Sequence, residues 1–336
     1  MGALLPRSRG SLEVGDREGA LRHPERLPVS TSGPSPSFLS PSRPSFPSSS
    51  RPSSSPFSSL PRSVVVTRLR AAGCVFAEDE ARLLVNAART PGELAAMVRR
   101  RVAGLPLEHV LGWAEFHGLR IAVDPGVFVP RRRTEFLVDQ AVERVAGRSR
   151  PVTVVDLCCG SGAMGVALVA ALPGIEVHAA DIEPAAVRCA RRNLASAGGQ
   201  VYDGDLYEPL PAVLRGHVDL LAANAPYVPT DAIELMPPEA REHEPRVALD
   251  GGADGLDVLR RVAAEAPRWL APGGHLLVET GERQAASIVE ASAQAGLIPT
   301  VASSADLNAT VVIATRPAAA PVSAVGAAAG QLPPVG

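Results

Sequence analysis

From residue 151 to residue 314 the chain alternates short, almost wholly apolar runs with longer stretches of helical periodicity, and this alternation restricts the fold more than any other feature. The runs at 152–157, 177–181, 218–223, 275–279 and 310–314 are too apolar for strands that keep one face in water. Between them the spacing predicts helices over 163–171, 184–197, 256–269 and 284–295. Strands buried on both faces and joined by helices make an α/β domain with a doubly wound, mostly parallel sheet. Such a sheet binds its ligand beyond the carboxyl ends of its strands. The residues that end each run are therefore the ones to read for chemistry.

Residues 1–62 are dominated by Ser, Pro and Arg, a composition that cannot bury enough apolar surface to offset its ordering entropy, and are expected to form a disordered tail. A normal folded pattern sets in abruptly at Val64, which raises the expectation that translation starts there on a valine codon. Residues 63–106 read as a short helical segment, with Thr90 as N-cap, Pro91 at the first helical position and Glu93 closing a capping box. These helices are too few for a core of their own and are expected to pack elsewhere or form a lid. Residues 107–130 read as a hairpin connector with strands at 109–112 and 119–123. The doubly wound domain occupies 131–316, with Thr134-Glu135 capping its first helix, and 317–336, rich in Ala, Pro and Gly, form a loose tail.

All 33 basic residues are arginine, which with the Ala, Gly and Pro load reflects GC-rich coding. The chain carries a net charge of −2, of which residues 1–62 contribute +4, leaving −6 for the rest. A mildly acidic body argues against a large nucleic-acid footprint. Cys74, Cys158, Cys159 and Cys189 form no C-x-x-C pair, and no nearby histidine supplies zinc spacing, so no metal is expected. No secretory signal, disulfide framework or apolar run of bilayer length is visible. The expected address is the cytoplasm, with no membrane partner.

Four strand ends carry the chemistry. Asp156-Leu157-Cys158-Cys159-Gly160-Ser161-Gly162 closes the first run and opens a helix, so the backbone can approach a ligand and offer it free N–H groups. Asp181 ends the next run, where a carboxylate suits the two hydroxyls of a ribose. These two features alone fit NAD, FAD or S-adenosylmethionine. In Asp203-Gly204-Asp205-Leu206, an acid followed by an apolar residue can take an adenine amino group and cover its face. The run 218–223 ends in Asn224-Ala225-Pro226-Tyr227. There the Asn224 side-chain oxygen and a neighbouring backbone carbonyl can each accept one N–H of a planar NH2 group. Pro226 fixes the local backbone, and the Tyr227 ring can lie against the flat group. In this order the four features point to a class I S-adenosylmethionine N-methyltransferase.

The chain further resembles the protein-(glutamine-N5) methyltransferase family, the HemK-like enzymes that modify the Gly-Gly-Gln glutamine of peptide-chain release factors. The similarity runs from about Leu105 to Ala314. It rests on Gly112 with Glu115-Phe116-His117-Gly118, Val129-Pro130-Arg131-x-x-Thr134-Glu135, and Glu244-Pro245. It continues through Ala248-Leu249-Asp250-Gly251-Gly252, Asp254-Gly255-Leu256 and Glu279-x-Gly281-x-x-Gln284. These pieces separate it from DNA adenine methyltransferases, which share only the Asn/Asp-Pro-Pro-Tyr idea.

The resemblance implies that Cys158 to Gly162, Asp181 and Leu206 hold S-adenosylmethionine, with Asp156, Asp205 and Asn224 beside them. It implies that Asn224, Ala225, Pro226 and Tyr227 bind and orient a glutamine amide on a release factor. Four positions depart from the family pattern. Cys158 stands where a glycine is usual, Ala225 where the first proline is, and Arg132-Arg133 where Pro-Glu is. The N-terminal helical part is also shorter than the family's release-factor-binding domain. The alternatives left by the residues are a DNA or RNA amino-group methyltransferase and a non-catalytic cofactor-binding homologue.

Overall fold

The computed structural model describes residues 60–148 and 151–318, so the expected tails fall outside the described residues except at 60–62 and 317–318. Three helices come first: α1 (Arg62–Ala71), α2 (Ala77–Ala87) and α3 (Pro91–Val102). Thr90 Oγ1 accepts from Glu93 N at 3.1 Å and Pro91 begins α3, as the residue types indicate. The Glu93 carboxylate, however, accepts from Arg89 N at 2.9 Å, one residue before the N-cap. The three helices also differ from expectation in enclosing a cluster of their own, with Val65, Leu69, Ala81, Leu84 and Val98 buried among one another. Arg101 fastens them down. It is 9% exposed, meets both carboxylate oxygens of Glu80 at 2.6 and 3.1 Å, and reaches Glu239 at 3.0 Å.

In the connector, residues 107–111 form a short helix, α4 (Leu107–Leu111), where the sequence suggests a strand. A brief apolar run of that length carries no period that separates helix from strand. The hairpin starts just beyond, with β1 (Trp113–Phe116) pairing antiparallel to β2 (Leu119–Ala122).

The remaining elements are α5 (Glu135–Val145), β3 (Thr153–Leu157), α6 (Ala163–Ala171), β4 (Glu176–Asp181), α7 (Pro184–Leu194), β5 (Gln200–Asp203) and β6 (Val218–Ala223). They continue with α8 (Pro238–His243), α9 (Asp257–Trp269), β7 (Leu270–Thr280), α10 (Ala285–Gln294), β8 (Ile298–Ser304) and β9 (Ala309–Thr315). Seven strands form one sheet in the order β5-β4-β3-β6-β7-β9-β8, parallel through β7 and antiparallel at β9 and β8.

All six residues of β6 are buried, as its mainly apolar sequence requires, with Asp219 paired to Arg148. Leu221 and Ala223 face a layer containing Leu259, Val262 and Ile288 of α9 and α10. Leu220 and Ala222 face the opposite layer, with Leu137, Leu168 and Leu194 of α5, α6 and α7. Truncating Leu221 to alanine would cost about 2–5 kcal/mol.

Register then places the site. Leu157 pairs with Ala180 and Ala223, Ala223 with Val278, and Asp181 with Asp203. The carboxyl ends of five strands are therefore level, and Cys158, Ile182, Gly204 and Asn224 emerge along one edge. The winding reverses between β3 and β6, which opens a crevice at that edge.

Candidate active site

A cleft of about 1090 Å³, its mouth included, occupies this switch point. Of the residues singled out in the sequence, Cys158, Cys159, Gly160, Ser161, Asp181, Asp205, Leu206, Asn224 and Pro226 line it. Asp156, Gly162, Ala225 and Tyr227 do not. Asp156 is 0% exposed, its Oδ2 accepts from Gly165 N at 3.2 Å, and burial pushes its carboxyl up to about 7. Gly162 packs against α7, where an added Cβ would stand 3.2 Å from Ala190 Cβ. Ala225 is buried.

The cofactor end is built by backbone. Gly160 N donates to Asp181 Oδ2 at 2.8 Å and Glu183 N to Asp181 Oδ1 at 2.9 Å, which fixes the carboxylate plane. Two N–H bonds leave lone pairs on both oxygens for further donors. A Cβ at Gly160, whose φ is 56°, would meet nothing within 4 Å, so this turn presents bare backbone to the cleft. Cys158 occupies the left-handed region at φ 54°, and burial pushes its thiol well up, so it lines the cleft as a neutral group. Ser161 Oγ is buried without a hydrogen-bond partner among the described residues, and Ser161 also lines the cleft. Ile182 is 51% exposed beside Asp181, a position suited to an apolar contact with a ring. The acid, bare backbone, orphaned hydroxyl and apolar walls together fit a nucleoside that carries a short charged tail.

Two positioning residues here were not among the site residues expected from the sequence. Asn193 of α7 donates from Nδ2 to Ser161 O and to Ala122 O, both at 2.8 Å, while its Oδ1 accepts from Ala122 N. It thereby ties the glycine turn to β2. Thr134, expected to cap α5, makes no side-chain cap bond. Its Oγ1 accepts from Asn224 Nδ2 at 3.0 Å instead. This bond turns the amide so that its NH2 is occupied by protein, while Oδ1 accepts no hydrogen bond among the described residues. The Ala225 carbonyl likewise accepts none among them.

The loop behind Asn224 is held rigidly. Tyr227 OH donates to Glu279 Oε1 at 2.9 Å, and Arg133 Nε donates to the same oxygen at 3.0 Å. Burial, with Glu279 beside it, pushes the Tyr227 phenol up, so it stays a donor. Gln284 Nε2 donates to Tyr227 O and Asp254 O, both at 3.0 Å. Gly255 lies so close that a Cβ there would stand 2.6 Å from Gln284 Nε2 and closer still to Tyr227 O. The turn at 250–255, which precedes α9, is thus the buttress of the Asn224–Tyr227 loop. On the opposite wall Arg131 Nη2 bridges both oxygens of buried Glu244, at 2.7 and 2.6 Å. The next residue, Pro245, lines the cleft.

Among the described residues no group of three or more His, Cys, Asp and Glu is arranged to hold a metal. The family described as methyltransferase small domain matches residues 118–236. Among curated relatives, a release factor glutamine methyltransferase of Geobacter sulfurreducens is 42% identical over 204 residues, covering 59% of this chain and 70% of that protein. Another, of Mycolicibacterium smegmatis, is 39% identical over 234 residues, covering 68% of this chain and 82% of that protein. A 4-amino-L-phenylalanine/4-methylamino-L-phenylalanine methyltransferase of Streptomyces pristinaespiralis is 41% identical over 195 residues, covering 57% of this chain and 66% of that protein. The sheet is of the class I S-adenosylmethionine methyltransferase type, and its cofactor is S-adenosylmethionine. With this identity sustained over more than two thirds of the length of both release factor glutamine methyltransferases, the chain belongs to the release factor glutamine methyltransferase family.

Proposed function

We infer that this chain methylates the side-chain amide nitrogen of a glutamine, the Gly-Gly-Gln glutamine of a peptide-chain release factor. The orientation of Asn224 carries the reading. With Nδ2 committed to Thr134, its Oδ1 is an acceptor on the cleft wall, one residue from the Ala225 carbonyl. Two acceptors beside one another match the two N–H bonds of a primary amide, whereas a hydroxyl or thiol nucleophile has one hydrogen to offer them.

Bound S-adenosylmethionine supplies an electrophilic methyl carbon on a sulfonium centre. The chain's own residues do the remaining work. Asn224 Oδ1 and Ala225 O each take one N–H, which fixes the nitrogen and favours localisation of its lone pair as it is alkylated. Thr134 keeps Asn224 in the accepting pose. Glu279 and Gln284 hold Tyr227, and with it the loop that carries both acceptors. Asp181, the 158–162 turn and the 205–206 pair hold the cofactor. No strong base is required, because a proton leaves readily once the nitrogen has become cationic.

Labelled S-adenosylmethionine, a release factor and mass mapping test this. One methyl on the Gly-Gly-Gln glutamine is expected, and Asn224→Ala is expected to abolish turnover while cofactor binding changes little. Near-normal methylation by Asn224→Ala would refute the assigned role. A second reading is favoured by the S. pristinaespiralis relative, named for an arylamine of a free amino acid. An aniline also offers two N–H bonds on a delocalised nitrogen, so 4-amino-L-phenylalanine belongs in the same assay. Among the described residues no helix is long and apolar enough to cross a membrane. The proposed partner is a release factor, a protein met in the cytoplasm.

A further inference from the structure

Arg261, in the first half of α9, and Asp205, after β5, are 56 residues apart in sequence and both line the cleft. Arg261 Nη2 donates to Asp205 Oδ2 at 2.6 Å, and both charges lie close enough to Cys158 to influence its thiol. Asp205 Oδ1 accepts no hydrogen bond and Leu206 N donates none among the described residues. Leu206 itself is held at φ 49°, a left-handed conformation that leucine enters only where the surroundings impose it. An acceptor and a donor therefore stand on successive residues of a strained turn. That pair complements a 6-aminopurine edge, whose amino group donates beside the accepting N1. A 6-oxopurine offers the reverse, an accepting oxygen beside a donating N1–H.

A carboxylate on a free side chain can rotate, and either oxygen can turn away. We propose that Arg261 is the positioning residue that sets base selectivity: by pinning Asp205 Oδ2 it fixes Oδ1 as the acceptor for a 6-amino group and turns the cleft against 6-oxopurine nucleosides. This rests on the reading of Asp205 and Leu206 as the adenine contacts.

Calorimetric binding of S-adenosylhomocysteine and S-inosylhomocysteine tests both levels. Wild type is expected to prefer the adenosyl ligand by about 100-fold or more, since a buried polar group left unpaired or opposed discriminates strongly. Arg261→Met keeps the aliphatic stem and is expected to reduce that ratio about tenfold. Arg261→Lys restores most of it. Because the pair is partly exposed, the thermal midpoint of Arg261→Met stays within about 2 °C of wild type. A ratio unchanged in Arg261→Met, or equal losses for both ligands, overturns the role of Arg261. A ratio that survives Asp205→Asn overturns the adenine reading beneath it, which is a separate failure.

Discussion

Arg133 and Tyr227 share one acceptor: Glu279 Oε1 takes the guanidinium N–H at 3.0 Å and the phenol O–H at 2.9 Å, on a side chain 1% exposed. A carboxylate this deep depends on its partners. Arg133→Met is therefore expected to destabilise the protein by roughly 1–3 kcal/mol, the lower half being favoured because Arg133 is itself 42% exposed. Adding Glu279→Gln removes the orphaned charge and should recover most of the loss. Denaturant unfolding of the two single variants and the double variant reads this, and simple additivity would count against the pairing.

Thr134 is expected to matter for turnover more than for folding. Thr134→Val leaves Asn224 Nδ2 without its acceptor and lets the amide flip. That should lower kcat about 10- to 100-fold with cofactor affinity retained. Thr134→Ser keeps the oxygen and should keep most of the activity. Steady-state kinetics with a cofactor titration separates the two effects.

Gly255→Ala should be disabling although it adds one methyl group. The Cβ would press on Tyr227 O and Gln284 Nε2, and φ is 78°. Either the Asn224–Tyr227 loop or the turn must move, at a cost of about 2 kcal/mol or more. Loss of methyl transfer with S-adenosylhomocysteine still bound in calorimetry is the expected outcome.

Asp156 makes a pH-dependent contribution whose sign is fixed. Burial raises its folded-state pKa from 3.8 to about 7, so the folded state favours the protonated acid. The stability it provides is complete below the unfolded value and is lost as pH rises through about 7. Between pH 5 and pH 8 that loss is roughly 2–3 kcal/mol. Asp156→Asn should therefore match wild type more closely at pH 5 and exceed it at pH 8. Thermal melts at the two pH values decide it, and parallel pH profiles for the two proteins would contradict the assignment.

The sequence carried the central sheet because β3, β4, β6 and β9 are buried along most of their length and therefore read as mainly apolar runs. It did not carry β5 and β8, the two edges. β5 has the burial of a half-wet strand, and β8 holds Pro299 and two serines that read as turn residues. It also began β7 too late, because Pro272-Gly273-Gly274 reads as a turn, whereas the strand starts at Leu270 and runs through it with a register shift between Val218 and Leu220. In the site, the acceptor Asn224 announced itself through its neighbours, but the residues that aim it did not. Thr134 meets Asn224 across 90 residues and Arg133 meets Glu279 across 146, and no local pattern encodes such pairs.

Arg101 joins the small helical unit to Glu239, on the segment that leads to Glu244 and Pro245. The joint makes the two parts exchangeable only as a matched set. A chimera that grafts the corresponding helices of a relative onto this catalytic domain would need an arginine at that point, or a neutral residue in place of Glu239. Otherwise Glu239 is left at the seam without its guanidinium partner.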